Sequence, residues 1–198
     1  MEKKAGNNSY NRIYEYLVVI APDEKNWHRL RNLRVEFANQ FDIDHAKYGK
    51  PHLYLANFIQ LESLEPEIVF SLEAVTSMNP PFRIEMNGFD HIDNHNIHVN
   101  TRPKINLQFL VDLIREMSTK AMTLNKSNEP YFIHDPHFTI ARKLTKSQFK
   151  RIWPHYENRS FVGDFQTTEM VLLRREIGNL GYEQVKMFPF EVPAFHSN

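Results

Sequence analysis

Pro51-His52-Leu53-Tyr54-Leu55-Ala56 and, 85 positions later, Pro136-His137-Phe138-Thr139-Ile140-Ala141 follow one pattern. Each reads proline, histidine, apolar, hydroxyl, apolar, alanine. Both are short apolar runs behind a proline, and both are expected to be strands. Side chains alternate along a strand, so His52 and Tyr54 share one face while Leu53 and Leu55 share the other. In the same way His137 and Thr139 stand opposite Phe138 and Ile140. The apolar face can pack under helices. The other face then displays an imidazole and a hydroxyl, twice.

Outward from these two runs, the chain alternates strands and helices. Ile13 to Ala21 reads as a buried strand. Asp23 sits where an N-cap belongs, and Trp27, Leu30, Leu33, Phe37 and Phe41 follow at helical spacing. After the strand from His52 to Ile59 comes a second helical stripe of Leu61, Leu64, Ile68, Leu72 and Val75. Phe82, Ile84 and Met86 alternate with polar residues as a half-exposed strand, and the polar stretch from Asn87 to Asn96 is expected to turn the chain. The order then restarts. Ile97 to Val99 is a short strand, and Leu107, Leu110, Val111, Ile114, Met117 and Ala121 line one helix face. His137 to Arg142 is a strand, followed by the capping-box pair Thr145 and Gln148 and a helix that Pro154 stops. Met170 to Leu173 and Tyr182 to Phe188 close the chain as strands. Corresponding elements of the two halves lie roughly 82 to 87 positions apart, as an internal duplication would place them. Two such halves facing each other across a cleft would each contribute one histidine strand to it.

Composition narrows the chemistry. The 198 residues (23.5 kDa) are 41% hydrophobic and 24% charged, as in a soluble globular protein. Lys+Arg and Asp+Glu both number 24, and the pI is about 7.2, so no large positive field is available to hold a duplex. A local cluster gripping one or two phosphates remains open. With no cysteine, disulfides, thiolate nucleophiles and cysteine-ligated metals are excluded. Neither a G-x-G-x-x-G nor a P-loop motif occurs. Ten histidines stand out. The polar N-terminus lacks an apolar core of the signal-peptide kind, and the longest apolar run, Leu17 to Ala21, is far short of the ~20 residues that span a bilayer. A cytoplasmic protein without membrane attachment is the expectation.

The paired H-x-[ST]-x pattern, at this spacing in a chain of this size, resembles the 2H phosphoesterase superfamily, and within it the 2′-5′ RNA ligase-like (LigT-like) branch. His137-Phe138-Thr139-Ile140-Ala141-Arg142 is a close match. His52-Leu53-Tyr54-Leu55 keeps the histidine but has tyrosine where the family has threonine or serine. The resemblance covers nearly the whole chain. It implies an α+β fold of two pseudo-symmetric α/β lobes with antiparallel-rich sheets facing across a central cleft, in a single domain over 11–191 with loose ends at 1–10 and 192–198. It also implies that His52 and His137 act as general acid and base on 2′,3′-cyclic or 2′-5′ linked ribonucleotide phosphodiesters, with no metal and no cofactor. The partner would be an RNA end or a small nucleotide bearing a cyclic phosphate. The chemistry is consistent with this, because histidine, with an ordinary pKa near ~6.5, can donate or accept a proton near neutral pH. A catalytically impaired nucleotide- or RNA-binding protein of the same fold is the alternative, with Tyr54 as the reason.

Thr139 and Tyr54 are candidate donors to the phosphate oxygens. Lys50 and Arg142, with Lys47 and Lys143, flank the motifs and offer phosphate contacts; alternation puts Arg142 on the apolar side of its strand. Tyr48, Tyr131 and Phe132 are candidates for base stacking or for the cleft wall. A competing cluster, Asp90, His91, Asp93, His95 and His98, has ligand types suited to zinc, in a turn where Asn, Asp and His are common for backbone reasons. It defines a third possibility, a metal-dependent hydrolase.

Overall fold

In the computed structural model, residues 12–192 are described. Of the expected loose ends at 1–10 and 192–198, all but Val192 lie outside them, and Val192 is 72% exposed. β1 (Ile13–Ile20) sends Tyr14, Tyr16, Val18 and Ile20 into the core and Leu17 and Val19 to the opposite face. The Asp23 carboxylate accepts from Asn26 N, capping α1 (Glu24–Phe41), whose Leu30, Leu33 and Phe37 are buried. β2 (Leu53–Leu61) follows, then α2 (Glu65–Ser77), β3 (Phe82–Ile92), β4 (Asn96–Arg102) and α3 (Lys104–Met122). After β5 (Tyr131–Phe132) and β6 (Phe138–Ala141) comes α4 (Lys146–Ile152), opened by the expected capping box of Thr145 and Gln148. A 3₁₀ turn over Trp153–His155 holds Pro154. β7 (Val162–Thr167), β8 (Glu169–Glu176) and β9 (Glu183–Pro189) complete the order.

The fold is α+β, with two antiparallel sheets ordered β5-β2-β1-β8-β9 and β6-β4-β3-β7. The pseudo-symmetry is visible in that order, since β2-β1-β8-β9 of one sheet corresponds to β6-β4-β3-β7 of the other. The lobes do not coincide with the halves of the sequence. β3, the third strand of the first half, pairs with β4, and β8, its counterpart in the second half, pairs with β1. The helices cross over as well. α1 docks on β6 and β7, with Asn26 Nδ2 donating to Asp164 O at 2.9 Å and Arg29 to Val162 O at 2.7 Å. α3 lies against α2 and β2, where Gln60 donates to Ala121 O. Gly163 permits the α1 contact, because a Cβ there would meet the Arg29 guanidinium and Asn26 Oδ1, both at 2.7 Å.

Besides the short β5, which no sequence pattern announced, two strands differ from expectation. The stretch from Asn87 to Asn96 is not one long turn, because β3 continues to Ile92 and only residues 93–95 form the loop. A register shift between Met86 and Phe89, with Gly88 at φ +67°, breaks the alternation that would have shown it. Asp93 and Asn94 take positive φ values, as a tight hairpin requires. β7 is the other difference: rich in polar residues and bordered by the bulky Phe161, it has no clean apolar pattern to announce it.

Candidate active site

β2 and β6 occupy equivalent places, each beside the central strand that opens its sheet pairings, and a short stretch of chain links them. β5 pairs with β2 at Ala56 and Asn57, Ile133 N donates to Leu55 O at 2.9 Å, and β6 begins five residues later in the other sheet. The other end of β6 is tied to the approach to β2, where His45 Nε2 donates to Arg142 O at 2.9 Å. Leu53 and Leu55, and Phe138 and Ile140, are buried in the core as alternation requires, while His52, Tyr54, His137 and Thr139 are half-buried on the opposite faces.

His137 is firmly oriented. Its Nδ1 lies 2.7 Å from Asp135 O, which can only accept, so Nδ1 carries the proton and Nε2 presents a lone pair. Thr101 Oγ1 donates to Pro136 O at 2.6 Å and fixes the start of the strand. Lys104 pairs with the Asp135 carboxylate. Burial holds His137 below the ordinary histidine value, against the Asp135 carbonyl and carboxylate, which favour its proton. Thr139 pairs across to His98 on β4.

His52 sits just before β2 and carries no comparable ring hydrogen bond among the described residues. It is pushed down to about 4, first by burial and then by the charge of Lys50. Lys50 itself is exposed. Tyr54 faces the same way as Val19, its partner on β1, and its ring packs with Tyr182 on a small apolar cluster of Leu17, Val19, Val171 and Leu173. Beyond that cluster Asn57 and Arg175 both bond Glu15.

Arg142 falls one residue past the end of β6, where alternation no longer governs it, and it is exposed rather than turned to the apolar side. Sequence reasoning missed its neighbour, Arg34 of α1. Arg34 Nε donates to Ala46 O at 2.8 Å and Nη1 to Gly49 O at 3.1 Å, and Nη2 bonds Tyr48 O, so the guanidinium clamps the loop ahead of His52. Its proton affinity is lowered by burial, with Tyr54 opposing and Arg142 and Arg31 adding to the lowering. Among the described residues no carboxylate pairs with it, and nothing in a helical stripe would have marked it. Of the remaining candidates, Lys47 pairs with Asp44, Tyr48 is 65% exposed, and Tyr131 and Phe132 form β5.

The histidine cluster does not assemble. His91 lies on the α4 side of β3, with ring centroids 5.0 Å from Phe149 and 4.8 Å from Trp153. His95, in the hairpin loop, donates from Nδ1 to Leu144 O at 2.6 Å. His98 and Asp90 are paired residues on the other face of that sheet, where the His98 ring lies tilted against that of His137. Residues spaced for a turn are thus divided between two faces of a hairpin, and no metal-ligating group of three forms among the described residues. Farther along the face of His98 lies a hollow of about 570 Å³ lined by Glu85, Asn100, Arg102, Pro103 and Lys104.

A family model described as the 2′-5′ RNA ligase superfamily matches residues 22–179. The chain belongs to that superfamily. Solved structures carry the same fold at low identity. The TT0787 protein of Thermus thermophilus matches with TM-score 0.61 at 16% identity, covering 89% of this chain and 97% of its own. E. coli LigT complexed with 3′-AMP matches with TM-score 0.57 at 14% identity, covering 90% and 98%. Kluyveromyces marxianus Usb1 matches with TM-score 0.51 at 11% identity, covering 89% and 98%. No curated protein matches the sequence. No helix among the described residues is long and apolar enough to cross a membrane.

Proposed function

We propose that this superfamily member is a phosphodiesterase acting on 2′,3′-cyclic or 2′-5′ linked ribonucleotides, with His52 and His137 as its acid–base pair and no metal in the chemical step. The observation that carries this is the placement of two histidine–hydroxyl strands at equivalent positions of two pseudo-symmetric sheets. One imidazole takes a proton from water as the water oxygen bonds to phosphorus. The P–O bond to one ribose oxygen breaks, and the other imidazole protonates that oxygen, leaving a phosphomonoester beside a free hydroxyl. The same step with a ribose hydroxyl in place of water forms a new P–O bond as one P–O bond of the cyclic phosphate breaks, and the outcome is ligation.

Burial lowers the proton affinity of both rings in the free protein, which suits a base better than an acid. An anionic phosphodiester between them would raise both affinities, so substrate itself would charge one ring. Thr139, Arg142, Lys50 and Tyr54 are the proposed phosphate or ribose contacts. The 3′-AMP named with E. coli LigT is a nucleotide of the size expected here. A protein that binds such nucleotides without turnover is the second reading, favoured by the packing of the Tyr54 ring on the apolar cluster. Phosphorus NMR of 2′,3′-cyclic AMP incubated with the protein in EDTA tests the proposal. The cyclic signal should give way to one phosphomonoester; its persistence, with binding seen by calorimetry, would establish the second reading instead.

A further inference from the structure

The paired motifs do not include His98, yet it is the side chain that covers His137. It is 2% exposed, and its ring centroid lies 4.0 Å from that of His137 at a tilt of 33°. Its Nδ1 is buried with no hydrogen-bond partner. A neutral ring protonated on Nε2 leaves only an unpaired acceptor there, whereas an imidazolium would bury an unpaired charged donor at far greater cost. The groups facing His98 are His137 just ahead of β6, Asp90 of β3, Asp135 in the connection before β6 and Lys104 of α3. Burial and His137 oppose protonation, as does Lys104, while Asp90 and Asp135 favour it; the outcome is a value pushed down to about 3. His98 is therefore neutral throughout the range in which an imidazole pair works. The His98 ring thus lies against one side of the His137 ring, whose Nδ1 is held by Asp135 O.

We propose that His98 is a positioning residue for His137, a flat neutral partner whose stack fixes the ring plane and keeps water from one face, so that Nε2 is presented as a bare lone pair. This rests on the assignment of His137 as catalytic. The test follows the His137 ring nitrogens by ¹⁵N NMR through a pH titration of the full chain. Wild type, His98→Ala, His98→Gln and His98→Phe are compared, with pH profiles of kcat/KM on 2′,3′-cyclic AMP in parallel. Water admitted by Ala or Gln should raise the His137 midpoint by about one pH unit. Phe, a flat ring of similar size, should return the midpoint to the wild-type value, and the corresponding limb of the rate profile should move with it. A midpoint that stays put in folded Ala and Gln variants overturns the proposal. So does a Phe variant with a restored midpoint but lost turnover, which would make His98 a proton carrier instead. Should wild type hydrolyse nothing, the proposed function fails, and the titration alone decides whether His98 sets the state of His137.

Discussion

The two histidine strands share a sequence pattern and differ in how the fold holds them. His137 enters a four-residue strand pinned at its start by Thr101, oriented by Asp135 O, covered by His98 and tied at its end to His45. His52 precedes a nine-residue strand, and what fixes its approach is the Arg34 clamp on the loop 46–49 rather than any bond to its ring. The hydroxyl beside each histidine differs in the same sense. Thr139 is short and borders His98, while Tyr54 carries a ring that leans on a separate apolar patch. A duplicated pattern therefore specifies where the imidazoles stand, while the surroundings specify how freely each can turn.

The largest expected effect removes either imidazole. His52→Ala and His137→Ala should each lower kcat for a 2′,3′-cyclic nucleotide by about 10²–10⁴-fold in steady-state assays. If the pinned ring matters more, His137→Asn should lose as much as Ala, since it retains volume without a base. Next comes Tyr54. A tyrosine hydroxyl lies roughly 6.5 Å from Cα, against ~2.4 Å for threonine, so it reaches a different atom of the substrate. If it donates to that atom, Tyr54→Phe should cost about 1–3 kcal/mol of transition-state binding, read from kcat/KM. A neutral Phe together with a faster Tyr54→Thr would mark the ring as an obstruction and favour the binding-only protein.

Gly163→Ala tests the α1 docking that carries Arg34. Overpacking against Arg29 and Asn26 should destabilise the protein by about 1–3 kcal/mol in urea unfolding, with activity retained in the folded fraction. The smallest effect is in pH. His52 and His98 are held near about 4 and about 3 in the fold, below the ordinary 6.5. The unfolded chain thus binds more protons than the folded one below pH 6.5, and stability is lost as pH falls from there toward 4. His98→Phe removes one of these groups. The melting temperature should then fall less between pH 7 and pH 5 than in wild type, by about 2–4 °C for each kcal/mol involved. Equal slopes in the two proteins would show that His98 is not held neutral.

Much of this is legible in the chain because it depends on local rules. The caps at Asp23 and Thr145, the core residues of α1 and α3, and the opposite-facing pairs of β2 and β6 all follow from periodicity and side-chain chemistry. The exchange of β3 and β8 between sheets is not legible, since pairing partners far apart in sequence leave no periodic trace. For the same reason proximity in sequence groups His98 with His91 and His95, when strand pairing sends it to the opposite face beside His137. Arg142 is misplaced when alternation is extended one residue beyond the strand, and Arg34 is invisible because its bonds are to the carbonyls of a loop. The family pattern supplies the histidines, and only the fold supplies their neighbours.

The central claim is that His52 and His137 serve one proton-transfer unit, and a double-mutant cycle tests it most directly. Turnover of 2′,3′-cyclic AMP is measured for wild type, His52→Ala, His137→Ala and the double variant, with folding checked by circular dichroism. Groups acting in one step are strongly non-additive, so the double variant should be little slower than either single one. Losses that multiply in the double variant, or full activity in either single variant, would contradict a shared acid–base pair.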